Sequence, residues 1–194
     1  MMSIFLLLPL AKQAQCIHQT VRYNIRVFGM NIGQMTVNQV KTDTCTIVQA
    51  ISEISVRIIF IYQVKYIQNT TYQFGELYQS SLKTLKKEEV NYDTRITKTE
   101  DGYILVKDGD TSRIEDKILY SGGLLYFNEP QNITSLYFEI SGDKKPIERI
   151  DDHTYCITDP NNGRKSNYEY KDGILKRAVI RHRLATIYVE QQTI

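Results

Sequence analysis

Paired turn residues between alternating apolar and polar segments constrain this chain more than any other feature of its sequence. The pairs are Asp101-Gly102, Asp108-Gly109, Gly142-Asp143, Asn162-Gly163 and Asp172-Gly173. Such pairs tolerate the positive φ that tight hairpin turns require. The intervening segments alternate with the two-residue period of a β-strand. The sequence therefore predicts a nearly all-β protein built as an antiparallel meander.

The clearest predicted strand runs from Thr20 to Phe28. Tyr23 and Ile25 fall on one face of it, and Arg22 and Arg26 fall on the other. Because successive side chains of a strand point to opposite faces, we expect the apolar pair in the core and the arginines in solvent.

One short helix is predicted, near residues 112–120. Ser112-Arg113-Ile114-Glu115 has the spacing of a capping box, and Ile118 follows Ile114 by one helical turn. Gly122-Gly123 would end such a helix.

The bulk composition indicates one globular domain and gives no reason to expect nucleic-acid binding. The chain has 194 residues and a formal net charge of +2. Its basic residues alternate with acidic ones, as in Lys86-Lys87-Glu88-Glu89, so they form a mixed-charge surface and not a basic stripe.

The N-terminal segment is the one candidate for a targeting signal. Ile4 to Leu10 is an apolar run followed by Ala11-Lys12, which is typical of a secretory signal and far too short for a transmembrane helix. We expect residues 1–19 to be a signal segment or a disordered N-terminus, with a buried strand as the competing interpretation. Residues 20–194 are expected to form a single antiparallel β domain, secreted or periplasmic.

The three cysteines, Cys16, Cys45 and Cys156, leave their pairing open. Cys45 and Cys156 lie on strand-like segments and would be able to pair in an oxidising compartment. An odd count leaves at least one cysteine free or intermolecular, and no Cys-x-x-Cys spacing indicates a zinc site or a dithiol redox site.

No motif predicts a catalytic residue, a metal site or a cofactor. In Asp151-Asp152-His153, Asp151 and His153 would share one face of a strand, but two ligands do not make a site. Ser121-Gly122-Gly123 lacks the glycine that a nucleophile elbow needs before the serine. Glu129 and Glu139 are a conceivable carboxylate pair, although surface acids are far commoner.

Three arginines near the C-terminus, Arg177, Arg181 and Arg183, fall on one side of a predicted last strand from Ile174 to Glu190, which we expect to be broken by a bend. An anion-binding stripe is one interpretation. A solvated edge or outer face is the preferred one.

Several short segments resemble bacterial envelope proteins of the domain of unknown function 6134 family and, more distantly, the domain of unknown function 3108 proteins. The resemblance implies a secreted or periplasmic protein from a Bacteroidota-like organism. It also implies a strongly curved antiparallel sheet of the half-barrel or β-roll kind. The segments that carry it are Tyr23-Asn24-Ile25-Arg26-Val27, Met30-Asn31-Ile32-Gly33, Phe74-Gly75-Glu76-Leu77-Tyr78-Gln79-Ser80, Leu125-Tyr126-Phe127-Asn128-Glu129-Pro130, Tyr137-Phe138-Glu139 and Asn167-Tyr168-Glu169-Tyr170-Lys171-Asp172-Gly173-Ile174-Leu175.

The preferred functional hypothesis is a non-enzymatic envelope protein that binds a lipid, another apolar ligand or a partner chain on its curved sheet. The inner face needs a cover, and the sequence offers little helix to supply one. An assembly protein that pairs through its sheet edges is the alternative, and an enzyme is the third hypothesis. The expected ligand-binding residues are Phe60, Tyr62, Tyr66, Tyr126 and Phe127.

Overall fold

The computed structural model describes residues 15–57 and 61–193, and at positions 56, 57, 61 and 62 it describes the backbone alone. These residues form one antiparallel sheet of fourteen strands, with the spatial order β8-β7-β6-β5-β4-β3-β2-β1-β14-β13-β12-β11-β10-β9. The sheet consists of two meanders, β1–β8 and β9–β14. They join where the first strand pairs with the last.

The strands are bounded as follows: β1 Ile17–Val27, β2 Met30–Lys41, β3 Cys45–Arg57, β4 Ile61–Gln73, β5 Glu76–Lys86, β6 Glu89–Thr99, β7 Gly102–Lys107, β8 Asp110–Ile114, β9 Ser135–Phe138, β10 Asp143–Asp151, β11 Thr154–Thr158, β12 Lys165–Lys171, β13 Ile174–Arg181 and β14 Thr186–Gln191. One 3₁₀ helix, Gly122–Tyr126, lies between β8 and β9. Among the described residues, no helix has the length and hydropathy needed to cross a membrane.

The predicted turn pairs fall between strands, which confirms the antiparallel meander. Asp108-Gly109 joins β7 to β8 and Asp172-Gly173 joins β12 to β13. Both residues of each pair have positive φ, about 50° for the aspartates, as two-residue hairpin turns of type I′ require. The predicted bend in the last strand separates β13 from β14 at residues 182–185.

The first strand confirms the predicted division between core and surface. Tyr23 and Ile25 are buried, and Arg22 and Arg26 are exposed. The strand begins at Ile17, earlier than the expected Thr20, although the additional residues are exposed. The apolar run Ile4–Leu10 of the predicted signal segment lies outside the described residues.

The sheet is rolled so that its two ends approach each other, although the strand ladder of the described residues does not close into a barrel. Tyr92 of β6 donates a hydrogen bond to the carbonyl of Ile140, in the β9–β10 turn. That turn also lies against Leu105 of β7, because a Cβ on Gly142 would be 2.2 Å from its side chain. Because these strands lie near opposite ends of the strand order, their contact requires the sheet to be strongly curved.

Both faces of β9 are buried inside this roll. Leu136 contacts the main hydrophobic cluster, which includes Tyr23 and Val37. Tyr137, the next residue, faces the opposite way into a second cluster, defined by Tyr72, Leu77, Ile96, Tyr103, Leu105, Ile118 and Tyr137. The roll therefore contains two separate interiors on either side of one short strand.

The predicted position of the helix was wrong. Residues 112–114 belong to β8, and residues 115–120 form irregular chain. The Asp108-Gly109 turn pairs this segment with β7, and those ladder hydrogen bonds outweigh a chance capping-box spacing. The short helix begins at Gly122, where helix termination was expected.

Candidate functional site

A cavity of about 500 Å³ occupies the main interior of the roll. Its walls are mostly apolar, and strands from both meanders contribute to them. The lining residues include Ile25, Met35, Leu82, Leu125, Tyr126, Phe138, Tyr168, Leu175, Ala178, Ile187 and Val189. Pockets that hold small ligands typically measure about 300–1,000 Å³ and have predominantly apolar walls, so this cavity has the size and character of a ligand site.

The cavity opens at the end of the roll that carries the β11–β12 and β13–β14 turns. Asp159, Arg164, Arg181 and His182 belong to these turns or flank them, and all four line the cavity. Lys145 also lines it, and its Nζ lies 2.8 Å from Asp159 Oδ2. The mouth is thus polar and charged, whereas most of the interior is apolar.

A buried carboxyl group, that of Glu139, interrupts the apolar wall. The residue is 3% exposed. Its Oε1 accepts hydrogen bonds from Ser121 Oγ at 2.5 Å, from the backbone N–H of Gly123 at 3.0 Å and from Thr70 Oγ1 at 3.4 Å. A cluster of neutral donors therefore fixes the orientation of one carboxyl oxygen.

Glycines make room for this carboxyl group. A Cβ on Gly122 would lie 2.7 Å from Glu139 Oε2, and one on Gly123 would lie 2.8 Å from Thr70 Oγ1. Side chains at either position would displace the polar cluster. The Gly122-Gly123 pair is thus needed for close packing of the 3₁₀ helix against Glu139 and β4.

Hydrogen bonds extend the cluster from Glu139 along the inner face of β4. Tyr72 donates to Ser121 Oγ at 2.9 Å, and Gln68 donates to Thr70 Oγ1 at 3.2 Å. Tyr66 donates to Gln68 Oε1 at 2.5 Å. Because Tyr66, Gln68 and Glu139 all line the cavity, its polar wall is a connected network of side chains on one side of an apolar space.

Burial raises the pKa of the Glu139 carboxyl, and the hydrogen bonds from Ser121, Gly123 and Thr70 only partly oppose that effect. The group therefore keeps its proton to a higher pH than an exposed glutamate. In the protonated form it offers one O–H donor next to an apolar cavity.

The Ser121 hydroxyl in this cluster is not accessible as a nucleophile. Ser121 is fully buried, and its hydroxyl is already bonded to Tyr72 and Glu139. Within residues 15–57 and 61–193, no three His, Cys, Asp or Glu side chains are grouped so that they could hold a metal ion. The geometry suits recognition of a polar group on a ligand.

A second polar cluster lies at the β10–β11 turn, at the other end of the roll from the mouth. Glu129 Oε1 accepts a hydrogen bond from Tyr155 at 2.7 Å and lies 3.1 Å from His153 Nδ1. Burial acts to raise the pKa of Glu129, but the bonds from Tyr155 and His153 lower it overall. Glu129 is therefore an anion that ties residues 127–134 to this turn.

This arrangement corrects the expectation for Asp151-Asp152-His153. Asp152 and His153 form the turn itself, so strand alternation does not apply to them. His153 has a φ of 52° and lies 3.8 Å from Asp152 Oδ2, and its main partner is Glu129. Glu129 and Glu139 belong to different clusters and do not form a catalytic pair.

The predicted binding residues fall in different places. Tyr66 and Tyr126 line the cavity. Phe127 is buried in the main cluster and is not among the described residues that line the cavity. Phe60 and the side chain of Tyr62 lie outside the described residues.

Two further expectations from the sequence have definite outcomes. Cys16, Cys45 and Cys156 are all free, so Cys45 and Cys156 are not paired. The three arginines do not form one stripe, because Arg183 lies in the β13–β14 turn. Arg177 is paired with Glu169 and Glu190 on the outer face, and β13 is not an edge strand.

Sequence reasoning missed the Glu139 cluster because its members are far apart in the chain. Thr70 and Glu139 are 69 residues apart. The Ser121-Gly122-Gly123 segment was the one local signal, since adjacent glycines often indicate close packing.

The fold and cavity define a rolled antiparallel β protein with a ligand-sized interior. The chain matches the family described as "Domain of unknown function (DUF6134)" over residues 23–192, and it belongs to that family. No curated protein matches it.

A similar solved structure is the "Beta-barrel-like Protein of Domain of Unknown Function DUF1849 from Brucella abortus". It has a TM-score of 0.57 and 10% sequence identity, over 91% of this chain and 95% of that one. At this identity the likeness extends to the fold alone.

Proposed function

We propose that this protein is a non-enzymatic carrier, secreted or periplasmic, that holds an apolar ligand such as a lipid chain inside its rolled sheet. The observation that carries the proposal is the cavity of about 500 Å³ with largely apolar walls. Burying an apolar ligand there contributes roughly 25 cal/mol per Å² of surface removed from water, which is enough for binding without a strong polar anchor.

The polar side of the cavity further restricts the ligand. Glu139, Gln68 and Tyr66 present hydrogen-bonding groups, and the raised pKa of Glu139 favours its neutral form. A ligand carboxylate beside ionised Glu139 would place two like charges in an apolar space, which is strongly unfavourable. A ligand group that meets this cluster is therefore expected to be neutral, such as a hydroxyl, amide or ester.

A fluorescent fatty-acyl methyl ester, whose polar group is neutral, is the probe that tests the carrier proposal directly. We expect binding in the micromolar range and displacement by a lipid extract of the host. Ile187 lines the cavity and is half-buried, so Ile187→Trp would fill part of the space and weaken probe binding about tenfold.

Ile104→Trp is the matched control, at a half-buried position of β7 outside the cavity lining. Thermal unfolding of both variants verifies that they fold. Absence of probe binding to the wild-type protein, or equal binding to Ile187→Trp, would overturn the carrier proposal.

One observation supports pairing through sheet edges as a second function. β8 is an edge of the sheet, and its residues Asp110 to Arg113 are exposed. The opposite edge is partly covered, because the Tyr137 N–H bonds the Tyr120 carbonyl. Thr111→Pro would remove a backbone donor from β8, and it would abolish a complex formed through that edge while leaving probe binding intact.

A further inference from the structure

Large apolar side chains are exposed on neighbouring hairpins at the mouth of the cavity. Phe28, in the β1–β2 turn, is 73% exposed, and Leu184, in the β13–β14 turn, is 75% exposed. Met30, at the start of β2, is 49% exposed. These positions are close together, because β1 and β14 are paired next to both turns, with Val27 opposite Ile187.

The turn at Phe28 is locally unfavourable for a bulky side chain. Phe28 has a φ of 50° and Gly29 a φ of 77°. The first position of such a turn favours asparagine or aspartate, and a bulky side chain at positive φ carries a strain cost. An exposed phenylalanine there satisfies neither the turn nor the core.

Arginines flank these apolar tips. Arg181 and Arg183 are exposed on the Leu184 hairpin. Within the described part of the chain neither forms an ion pair, whereas Arg177 on the same hairpin is paired with Glu169 and Glu190. The two guanidinium groups at the mouth are therefore available to an external anion.

We propose that Phe28, Met30, Leu184, Arg181 and Arg183 form a rim that docks the mouth of the cavity onto an anionic phospholipid bilayer. The apolar side chains enter the interfacial region of the bilayer, and the arginines contact lipid phosphates. Arginine suits this role because its planar fork binds phosphate oxygens in a bidentate manner. A lipid would then reach the cavity without crossing water.

The charge around the mouth favours a lipid surface over a uniformly charged partner. The β5–β6 and β7–β8 turns at the same end have mixed charge, with Lys87 beside Glu88 and Lys107 beside Asp108, so only one arc of the mouth combines exposed apolar tips with unpaired arginines. The molecule therefore docks tilted, with the β13–β14 and β1–β2 hairpins towards the bilayer.

The opposite end of the roll provides a matched control. Phe74 is 83% exposed in the β4–β5 turn, and its φ of 51° repeats the backbone of Phe28. Its neighbouring β2–β3 turn is the polar segment Thr42-Asp43-Thr44. Phe74 thus lies beside a polar turn with one flanking lysine, Lys41, and without a pair of exposed arginines like that at the mouth.

Vesicle flotation tests the proposed rim. We expect the full chain to float with vesicles of phosphatidylcholine and phosphatidylglycerol, and not with phosphatidylcholine alone. Binding should fall steeply in about 1 M salt, where the screening length is about 3 Å. Phe28→Ser combined with Leu184→Ser should weaken binding at least about tenfold, because burial of these side chains drives insertion.

Two controls isolate the rim. Phe74→Ser should leave vesicle binding unchanged. Arg181→Gln with Arg183→Gln should abolish the preference for anionic vesicles. Lys41→Gln with Lys171→Gln, which removes the same charge from strand termini at the opposite end, should retain it.

All these positions are exposed, so unfolding midpoints should match the wild-type value. No binding to anionic vesicles, or equal losses from Phe74→Ser and Phe28→Ser, would overturn the proposal. Vesicle binding and probe binding are separate measurements. A negative vesicle result would therefore not contradict the carrier proposal, and a negative probe result would not contradict the proposed rim.

Discussion

The second cluster and the cavity lie on one rolled sheet, and β5 contributes a leucine to each. Leu77 is 0% exposed in the second cluster, and Leu82 is 1% exposed on the cavity wall. A bulge opposite Tyr72 gives β5 two successive exposed residues, Tyr78 and Gln79, and returns Leu82 to the inner face. Two leucines with nearly equal exposure therefore lie in different environments, one closely packed and one beside a cavity.

Truncating each leucine measures that difference and gives the largest expected effect. Leu77→Ala should lower the free energy of unfolding by about 2–5 kcal/mol, because it leaves a void among packed side chains. Leu82→Ala enlarges an existing cavity and should fall near about 2 kcal/mol, at the lower end of that range. Denaturant unfolding provides both values, and equal losses would mean that the cavity wall is packed like the second cluster.

Half-buried Glu129, at the β10–β11 turn, and fully buried Glu139, on the cavity wall, extend the comparison of environments to charge. Glu129→Gln should destabilise the protein by about 1–3 kcal/mol, because it removes the anion that Tyr155 and His153 contact. Glu129 has a lowered pKa and His153 a raised one. The carboxylate contributes above its ordinary value of 4.5 and the imidazolium below its ordinary value of 6.5, so the pair stabilises most between these values.

Unfolding midpoints of the wild type and Glu129→Gln across pH test this window. The difference between them should shrink as pH falls through the lowered pKa of Glu129. It should also shrink as pH rises through the raised pKa of His153. A difference independent of pH would mean that the contact is not ionic.

For Glu139→Gln, we expect the stability difference from the wild type to depend on pH in a different way, because the pKa of Glu139 is raised and that of Glu129 is lowered. Because the folded pKa of Glu139 is raised, its neutral form favours folding at low pH, and that contribution is lost as pH rises from about 4.5 through the folded value. Glutamine does not ionise, so the variant should gain stability relative to wild type as pH increases. Midpoints at about pH 4 and about pH 8 provide the test, and a constant offset would mean that folding does not shift the pKa of Glu139.

The smallest effect is expected outside both interiors. Arg26 lies 3.3 Å from Glu190, but its side chain is 48% exposed. Ion pairs of this kind contribute little in water, so Arg26→Ala should change the free energy of unfolding by no more than about 0.5 kcal/mol. A larger loss of unfolding free energy would mean that this ion pair stabilises the β1–β14 ladder more than its exposure suggests.

The hairpins were predictable because their information is local. The Asp172-Gly173 pair alone indicates the type of its turn, and the alternation around Tyr23 and Ile25 indicates which face of the strand is buried. The 3₁₀ helix was misplaced because the pairing of β8 with β7 decides the conformation of residues 112–114, and that pairing competes with a local capping signal.

The cavity was predictable only in outline. Aromatic content placed Tyr66 and Tyr126 on an inner face, and both line the cavity. Glu139 gave no local signal, because its meaning depends on Thr70 and on the glycines of residues 122–123, which the rolled sheet brings to it. A side chain whose role is set by distant partners cannot be recognised from its own neighbours in the chain.

The pairing of the first strand with the last has a consequence for how the chain folds. Each meander grows by hairpins between successive strands, and such local contacts form quickly. The β1–β14 ladder joins Tyr23 to Gln191, so closing it requires almost the whole chain. Because long loops are costly to close, this step should come late and set the folding rate. The cavity exists only after that closure, so a ligand that bound in it and stabilised the native state should slow unfolding without accelerating the assembly of either meander.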